Sequence, residues 1–249
     1  MLKTLLGLVL LVFTSLHAEV VNIAVAANMS YAIEDIKTEF HKLHPDTQLR
    51  TTIGGSGKLA TQINNGAPYD IFLSANMAYP QFLYKHKKAI TQPRIYAQGA
   101  LVLLSSKRVD ILKNLVLLQS PKIKTIAIAN PKTAPYGKAS VEALKHAGVY
   151  ADVKHKFVYG ESISQTLTYA LRAADIGIVA KSSLMNKKMQ RYKQGINWVD
   201  IDTKLYTPIK QGIVLLNKAK GNDSAQEFYN FIFSKKAQNI LKHYGYLIR

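Results

Sequence analysis

Four segments of the chain place small and polar residues at the point where a predicted strand leads into a predicted helix. They are Ala27-Asn28-Met29-Ser30, Gly54-Gly55-Ser56-Gly57, Ala134-Pro135-Tyr136-Gly137 and Gly160-Glu161-Ser162-Ile163. The first N–H groups of a helix lack intrahelical partners and carry partial positive charge, so such a junction binds an anion without Lys or Arg. Four junctions at strand ends, where open α/β sheets hold ligands, predict an anion site.

Each junction alone has a simpler interpretation. Asn28, Ser30, Ser56 and Ser162 are residue types that commonly cap helices, and one capping residue says nothing about a ligand. The prediction of a site therefore depends on the four junctions occurring together.

Other chemistry fits the same residues less well. Gly54-Gly55-Ser56-Gly57-Lys58 resembles a phosphate-binding loop, but Leu59 stands where such loops carry a magnesium-binding Ser or Thr. It also resembles a nucleophile elbow, whose closing glycine would fall at Lys58. The chain has no cysteine, and its histidines lack metalloprotease spacing. We therefore expect a binding protein and no enzyme, with an exported hydrolase using Ser56 as the alternative from another class.

The composition describes a folded, strongly basic protein. The 249 residues include 33 Lys+Arg against 15 Asp+Glu, a formal charge of +18, and 48% are hydrophobic. The basic residues are dispersed, and no Arg-rich helix or aromatic platform accompanies them, so we expect no nucleic-acid partner.

The N-terminus predicts export. Met1-Leu2-Lys3 is a basic start, residues 5–13 are almost entirely apolar, and a polar stretch ends at Ala18. This is the pattern of a secretory signal peptide over residues 1–18, and its apolar run is too short to span a bilayer. We expect a soluble mature chain outside the cytoplasm.

Strand and helix patterns alternate along the mature chain. Alternation of this kind predicts the α/β class, with largely parallel sheets. The predicted strands are 21–26, 48–53, 69–74, 100–105, 125–129, 157–159 and 176–180, and the predicted helices are 31–43, 58–64, 137–146, 162–173 and 224–244.

Read in order, the motifs resemble those of the periplasmic molybdate-binding proteins of ABC importers. The resemblance extends through Tyr244-Gly245-Tyr246, and its most specific piece is the block from Asn65 to Ala75. The motifs are Ala26-Ala27-Asn28, Gly55-Ser56-Gly57-Lys58-Leu59, Asn65-Gly66-Ala67-Pro68-Tyr69-Asp70-Ile71-Phe72-Leu73-Ser74-Ala75, Asn130-Pro131, Ala134-Pro135-Tyr136-Gly137 and Gly177-Ile178-Val179.

The resemblance implies a two-lobed periplasmic-binding-protein fold of type II. It implies two crossings between the lobes, near Gln98 and near Tyr206-Thr207-Pro208. Lobe I would then comprise residues 19–97 and 207–249, and lobe II residues 98–206.

The resemblance also implies a ligand and its contacts. Asn28, Ser56, Tyr136 and Ile163 match the ligand-contacting positions, with Ala27 a weaker candidate, acting through backbone N–H groups and neutral side chains. The expected ligand is molybdate or tungstate, with molybdenum present only as the oxyanion and no cofactor. The expected protein is a periplasmic monomer that delivers the anion to an ABC importer permease.

Two positions depart from the best-known members. They carry Ser where this chain has Asn28 and a binding Tyr where it has Ala180, so Tyr136 is expected to replace contacts that Ala180 cannot make. Receptors for sulfate, phosphate, chromate or ferric iron stay as alternatives. A phosphate site usually needs a proton acceptor, for which Glu161 is the nearby candidate, and the chain has no Tyr-Tyr pair of the kind iron receptors typically use.

Overall fold

The chain forms two lobes, each built around a five-stranded sheet. The computed structural model describes residues 19–248, so the predicted signal peptide at 1–18 lies outside the described residues. The strands of the first sheet are β1 Glu19–Ala26, β2 Thr47–Gly54, β3 Ile71–Ser74, β4 Arg94–Gly99 and β10 Ile209–Leu215. Those of the second are β5 Leu101–Leu104, β6 Ile126–Ala129, β7 Phe157–Gly160, β8 Ile176–Ala180 and β9 Trp198–Asp200.

Both sheets mix parallel and antiparallel pairs. The strand orders are β2-β1-β3-β10-β4 and β7-β6-β8-β5-β9. β1 and β6 each pair in parallel with both neighbours, whereas β10 and β5 each pair antiparallel with both of theirs. The expectation of largely parallel sheets is therefore wrong. Parallel pairing follows from a crossover helix within one sheet, but β5 and β10 enter from the other lobe and have no such constraint.

Helices cover the two sheets and are amphipathic. In α6, for example, Ile163, Thr166, Leu167 and Ala170 are buried at helical spacing. The helices are α1 Ala32–His41, α2 Ser56–Asn64, α3 Ala78–Lys85, α4 Pro135–His146, α5 Tyr150–Val153, α6 Ile163–Arg172, α7 Asp223–Phe231 and α8 Lys235–His243. None of those within residues 19–248 is long and apolar enough to cross a bilayer.

The predicted C-terminal helix at 224–244 is wrong as a single element. It is divided between α7 and α8, because Ser234 begins a new helix by accepting a hydrogen bond from the N–H of Ala237 at 3.2 Å. The apolar periodicity on both sides of the break is similar, which is why the pattern predicted one helix.

The chain passes between the sheets at two adjoining places. Only Ala100 separates β4 from β5, and residues 201–208 separate β9 from β10. Gly99, the last residue of β4, pairs with Ile209, the first residue of β10. The two crossings are thus held together by the antiparallel β4–β10 ladder.

Candidate functional site

Three helices and a short 3₁₀ helix begin at one place between the lobes. The 3₁₀ helix Ala27–Met29 follows β1, α2 follows β2, α4 follows β6 and α6 follows β7. Because β1 and β2 are parallel neighbours, as are β6 and β7, their carboxyl ends bring these termini together from both lobes. The termini surround one small cavity, lined by Ala26, Ala27, Asn28, Gly55, Ser56, Ala75, Ala134, Pro135, Tyr136 and Ile163.

The structure brings all five predicted contact residues to this cavity. Ala27, Asn28 and Ser56 reach it from the lobe of the first sheet, and Tyr136 and Ile163 from the lobe of the second. All five are buried, with at most 4% of their surface exposed. Ala180, by contrast, is fully buried at the end of β8 and is not among the lining residues.

Ser56 is the first residue of α2 and does not cap it. Gly55 occupies the capping position, without a side chain to bond the helix terminus. The Ser56 hydroxyl instead accepts a hydrogen bond from the backbone N–H of Ala75 at 3.0 Å. The simple capping interpretation is therefore wrong for Ser56, and the hydroxyl keeps its own proton for another acceptor.

The simple capping interpretation is correct at the α6 terminus. The Ser162 side chain accepts from the N–H of Gln165 at 3.3 Å, which makes Ser162 an ordinary cap. Ile163 follows as the first helical residue, so its N–H has no partner within the helix. Ser164 donates to the carbonyl oxygen of Ala27 at 2.9 Å and thereby joins the two lobes beside the cavity.

The side-chain amide of Asn28 has a fixed orientation. Its Nδ2 donates to Gln211 Oε1 at 2.9 Å and to the Tyr246 hydroxyl at 2.7 Å. Gln211 cannot reverse, because its own Nε2 donates to the carbonyl oxygen of Ile209, which only accepts. Both amide hydrogens of Asn28 are thus in use, and its Oδ1 is buried without a partner among residues 19–248. The side-chain amide of Asn28 therefore has no hydrogen left to offer to a ligand.

Tyr136 brings a second polar group without a partner. Its hydroxyl is buried and accepts or donates no hydrogen bond within the described part of the chain. Burial raises the pKa of this hydroxyl well above its usual value, and the nearby Asn28 side chain opposes that shift only partly. Tyr136 therefore stays protonated at neutral pH, so its hydroxyl is a hydrogen-bond donor positioned beside Asn28.

Fixed charges are absent from the cavity wall. None of its lining residues, all within 19–248, is a Lys, Arg, His, Asp or Glu. Lys58 and Glu161 lie in the outer cleft between the lobes, and Lys138 lies in a separate crevice near Pro208. A negative ligand here meets only neutral donors and helix termini.

The cavity is small enough to limit the class of ligand. The cavity has a volume of about 10 Å³. Sugars, peptides and organic cofactors occupy sites of roughly 300–1,000 Å³. A compact inorganic ion matches the space better. Residues 19–248 contain no cluster of three His, Cys, Asp or Glu that could hold a bare metal ion.

Direct hydrogen bonds close the cleft around the cavity. The Ser182 hydroxyl donates to the carbonyl oxygen of Asn28 at 2.9 Å, and the Gly57 N–H donates to that of Thr133 at 3.2 Å. With the bond from Ser164, they join segments belonging to different sheets. The lobes are therefore in contact on more than one side of the cavity.

Sequence reasoning missed the residues that support the contacts. Ala75, Gln211, Tyr246 and Ser182 all bond directly to Ser56 or Asn28. Ala75 and Tyr246 end two of the matched motifs, which was the only available signal. Gln211 and Ser182 lie in segments with no recognisable pattern.

Comparison with known proteins identifies the family of this chain. A model of bacterial extracellular solute-binding proteins matches residues 21–247. The molybdate-binding protein ModA of Azotobacter vinelandii is 38% identical over 245 residues, which cover 97% of this chain and 94% of that protein. The ModA protein of Rhodobacter capsulatus is 36% identical over 228 residues, covering 90% and 86%.

A solved structure supports the same relationship. The periplasmic molybdate-binding protein of Azotobacter vinelandii is similar with a TM-score of 0.84 and 28% identity, covering 92% of this chain and 99% of that one. Since the family match includes both lobes and every residue that lines the cavity, this chain belongs to the bacterial extracellular solute-binding proteins, which are binding receptors and not enzymes.

Proposed function

We propose that this chain is a periplasmic receptor that captures molybdate, and tungstate equally well, and delivers it to the membrane permease of an ABC importer. The observation that carries the proposal is the meeting of four helix beginnings at one small, buried, uncharged cavity. Molybdate is a dianion at neutral pH and has only acceptor oxygens, so it needs donors on every side. The names of the relatives favour molybdate among the tetrahedral oxyanions.

Four of the five predicted contact residues can each be assigned a hydrogen-bond donor. We assign to the ligand the backbone N–H groups of Asn28, Ser56, Tyr136 and Ile163, the hydroxyls of Ser56 and Tyr136, and, as a weaker contact, Ala27. Neutral donors at helix termini stabilise a dianion without the desolvation of a lysine or arginine. Tungstate has nearly the same size and charge, so this donor set will not separate the two anions.

Binding and release follow from movement of the lobes. We place lobe I at residues 19–97 and 207–249 and lobe II at 98–206, with the anion bridging donors on both. An anion bound to both lobes stabilises the closed form over the open one by the difference in its contacts. The protein makes and breaks no covalent bond, acts as a monomer and needs no cofactor.

The alternatives fit the cavity less well. Glu161, the candidate acceptor for a phosphate proton, is exposed and lies outside the cavity. A hydrolase using Ser56 needs a base, but the Ser56 hydroxyl is bonded to the Ala75 N–H, and no histidine is among the lining residues within 19–248.

Calorimetric titration of residues 19–249 with molybdate, tungstate, sulfate, phosphate and chromate tests the proposal. We expect similar affinity for molybdate and tungstate, and binding of sulfate and phosphate at least about 100-fold weaker, or roughly 2.7 kcal/mol. Equal or tighter phosphate binding contradicts the proposal. In that case the unpartnered Asn28 Oδ1 becomes the acceptor for the phosphate proton.

A further inference from the structure

The hydroxyl of Tyr136 stands directly over the backbone of Gly99. A Cβ atom built on Gly99 would lie 2.0 Å from the Tyr136 hydroxyl oxygen and 2.9 Å from its Cζ. Non-bonded carbon and oxygen atoms do not approach to 2.0 Å, so an alanine at this position and the present position of Tyr136 exclude one another. The side-chain amide of Gln211 is also close, 3.0 Å from the same point.

Backbone conformation does not explain the glycine. Within residues 19–248, the glycines with φ in the left-handed region are Gly66, Gly148, Gly195, Gly221 and Gly245. Gly99 is not among them and continues the extended β4 strand, a conformation open to any residue. What glycine supplies at position 99 is the absence of a side chain.

The position of Gly99 connects the site to the crossings. Gly99 ends β4, pairs with Ile209 at the start of β10, and is followed after one residue by β5 in the other lobe. Tyr136 approaches it from α4, which begins in the lobe of the second sheet. The side chain of Tyr136, a residue that lines the cavity, therefore packs against the strand by which the chain passes between lobes.

We infer that Gly99 is a positioning residue of the anion site. Because Gly99 has no side chain, the Tyr136 hydroxyl can pack directly against its backbone. The inference depends on the proposed function, because it assigns to Tyr136 a donor role toward the anion. Any side chain at position 99 displaces the hydroxyl from its place beside Asn28, and with it the N-terminus of α4. No donor is removed by such a change, yet the donors from the second lobe no longer match those from the first.

The first test is the variant Gly99→Ala, titrated with molybdate beside the wild type. We expect its affinity to fall at least about tenfold, because the displaced donors of the second lobe no longer align with those of the first. Wild-type affinity in Gly99→Ala overturns the inference and leaves the proposed function intact. Failure of the wild type itself to bind an oxyanion contradicts the proposed function instead.

A second variant distinguishes the specific clash between position 99 and the Tyr136 hydroxyl from general damage to the fold. Tyr136→Phe removes the oxygen that lies 2.0 Å from the added methyl group and relieves the larger part of the overlap. In the wild-type background, Tyr136→Phe loses a donor and weakens binding. In the Gly99→Ala background it is expected to do the opposite, so the double variant Gly99→Ala/Tyr136→Phe binds molybdate more tightly than Gly99→Ala alone.

Tyr206→Phe is the matched control. Tyr206 is another buried tyrosine near the crossings, but its hydroxyl accepts from the N–H of Leu101 and does not face Gly99. The double variant Gly99→Ala/Tyr206→Phe should therefore bind molybdate no more tightly than Gly99→Ala alone. If Gly99→Ala alone does not fold, recovery of folding is the readout: Gly99→Ala/Tyr136→Phe must show a cooperative melting transition, and Gly99→Ala/Tyr206→Phe must not. Equal effects of Tyr136→Phe in both backgrounds overturn the inference.

Discussion

The hydroxyl of Ser56 accepts a hydrogen bond from the backbone N–H of Ala75 at 3.0 Å, and this bond determines the direction of the hydroxyl proton. An oxygen that already accepts from one side directs its proton away from that donor. Ala75 follows β3 and Ser56 follows β2, so two strand ends cooperate to orient one donor.

Ser56→Ala is expected to weaken molybdate binding roughly 10- to 150-fold. The variant keeps the backbone N–H of residue 56 but loses the hydroxyl, and a hydrogen bond to a charged group contributes roughly 1.5–3 kcal/mol. The apo protein should also melt lower, because the N–H of Ala75 is left buried without an acceptor. Calorimetry and apo-state melting on the same samples measure both effects.

Ser162→Ala is the control for that experiment. Ser162 caps α6 through the N–H of Gln165, so its loss should cost about 1 kcal/mol of stability with little change in affinity. Unchanged affinity in Ser56→Ala, together with lower melting, would mean that Ser56 only supports the fold.

Lys58→Ala and Lys138→Ala should each weaken binding only modestly. Both lysines are exposed and lie outside the cavity, although they are the lysines nearest in sequence to the assigned donors. Titration with molybdate at two salt concentrations measures how much the long-range attraction of these lysines contributes to affinity, because salt screens it. A loss beyond about 2 kcal/mol for either variant would indicate a direct ion pair with the anion and contradict the helix-terminus mechanism.

Tyr246→Phe should weaken molybdate binding roughly 2- to 10-fold. The Tyr246 hydroxyl accepts from Asn28 Nδ2 at 2.7 Å and donates to the carbonyl oxygen of Asn28 at 3.0 Å, so its loss frees the turn that carries the Asn28 N–H. The matched control is Tyr244→Phe, whose hydroxyl donates to Asp35 at 2.9 Å away from the site. Tyr244→Phe should lower the melting temperature only, and an equal loss of affinity in both variants would exclude a specific role for Tyr246.

Stability should fall as the pH rises above about 10. Burial raises the pKa of Tyr96, Tyr136 and Tyr246 well above the usual 10.0, so the folded protein keeps three protons that the unfolded chain releases. The protonated tyrosines contribute fully to the free energy of unfolding below about pH 10. That contribution is lost as the pH rises toward their pKa values in the folded protein, by about 1.4 kcal/mol per pH unit for each tyrosine. Urea unfolding at about pH 8, about pH 10 and about pH 11 measures the loss, and Tyr96→Phe should reduce the slope by one proton.

The junctions were predictable because their signal is local. Asn28, Ser56 and Ile163 lie two or three residues after a strand and Tyr136 lies seven after one, and small or polar residues before an apolar periodic segment commonly mark a helix terminus. Parallel strand pairs bring Asn28 close to Ser56 in one sheet and Tyr136 close to Ile163 in the other, whereas the meeting of the two lobes was implied by the resemblance alone. The assignment of a ligand came from the resemblance, because helix termini accept many anions.

The hydrogen bonds that support the site could not be predicted from local sequence patterns. Gln211 lies 183 residues from Asn28, and the amide orientation it imposes depends on the carbonyl oxygen of Ile209. The strands β4, β9 and β10 were not predicted either, since they pair antiparallel at or near the sheet edges and lack the long apolar runs of β1. No short segment carries information about such pairings.

The distance along the chain between Asn28 and Tyr246 also affects how the protein folds. The two residues are 218 positions apart, and contacts of such separation form late because closing a long loop costs entropy before the contact compensates for it. We therefore expect the ability to bind an anion to arise late in folding. We expect oxyanion binding during refolding to report the completion of the native state, so that a chain that is still unfolded carries no anion.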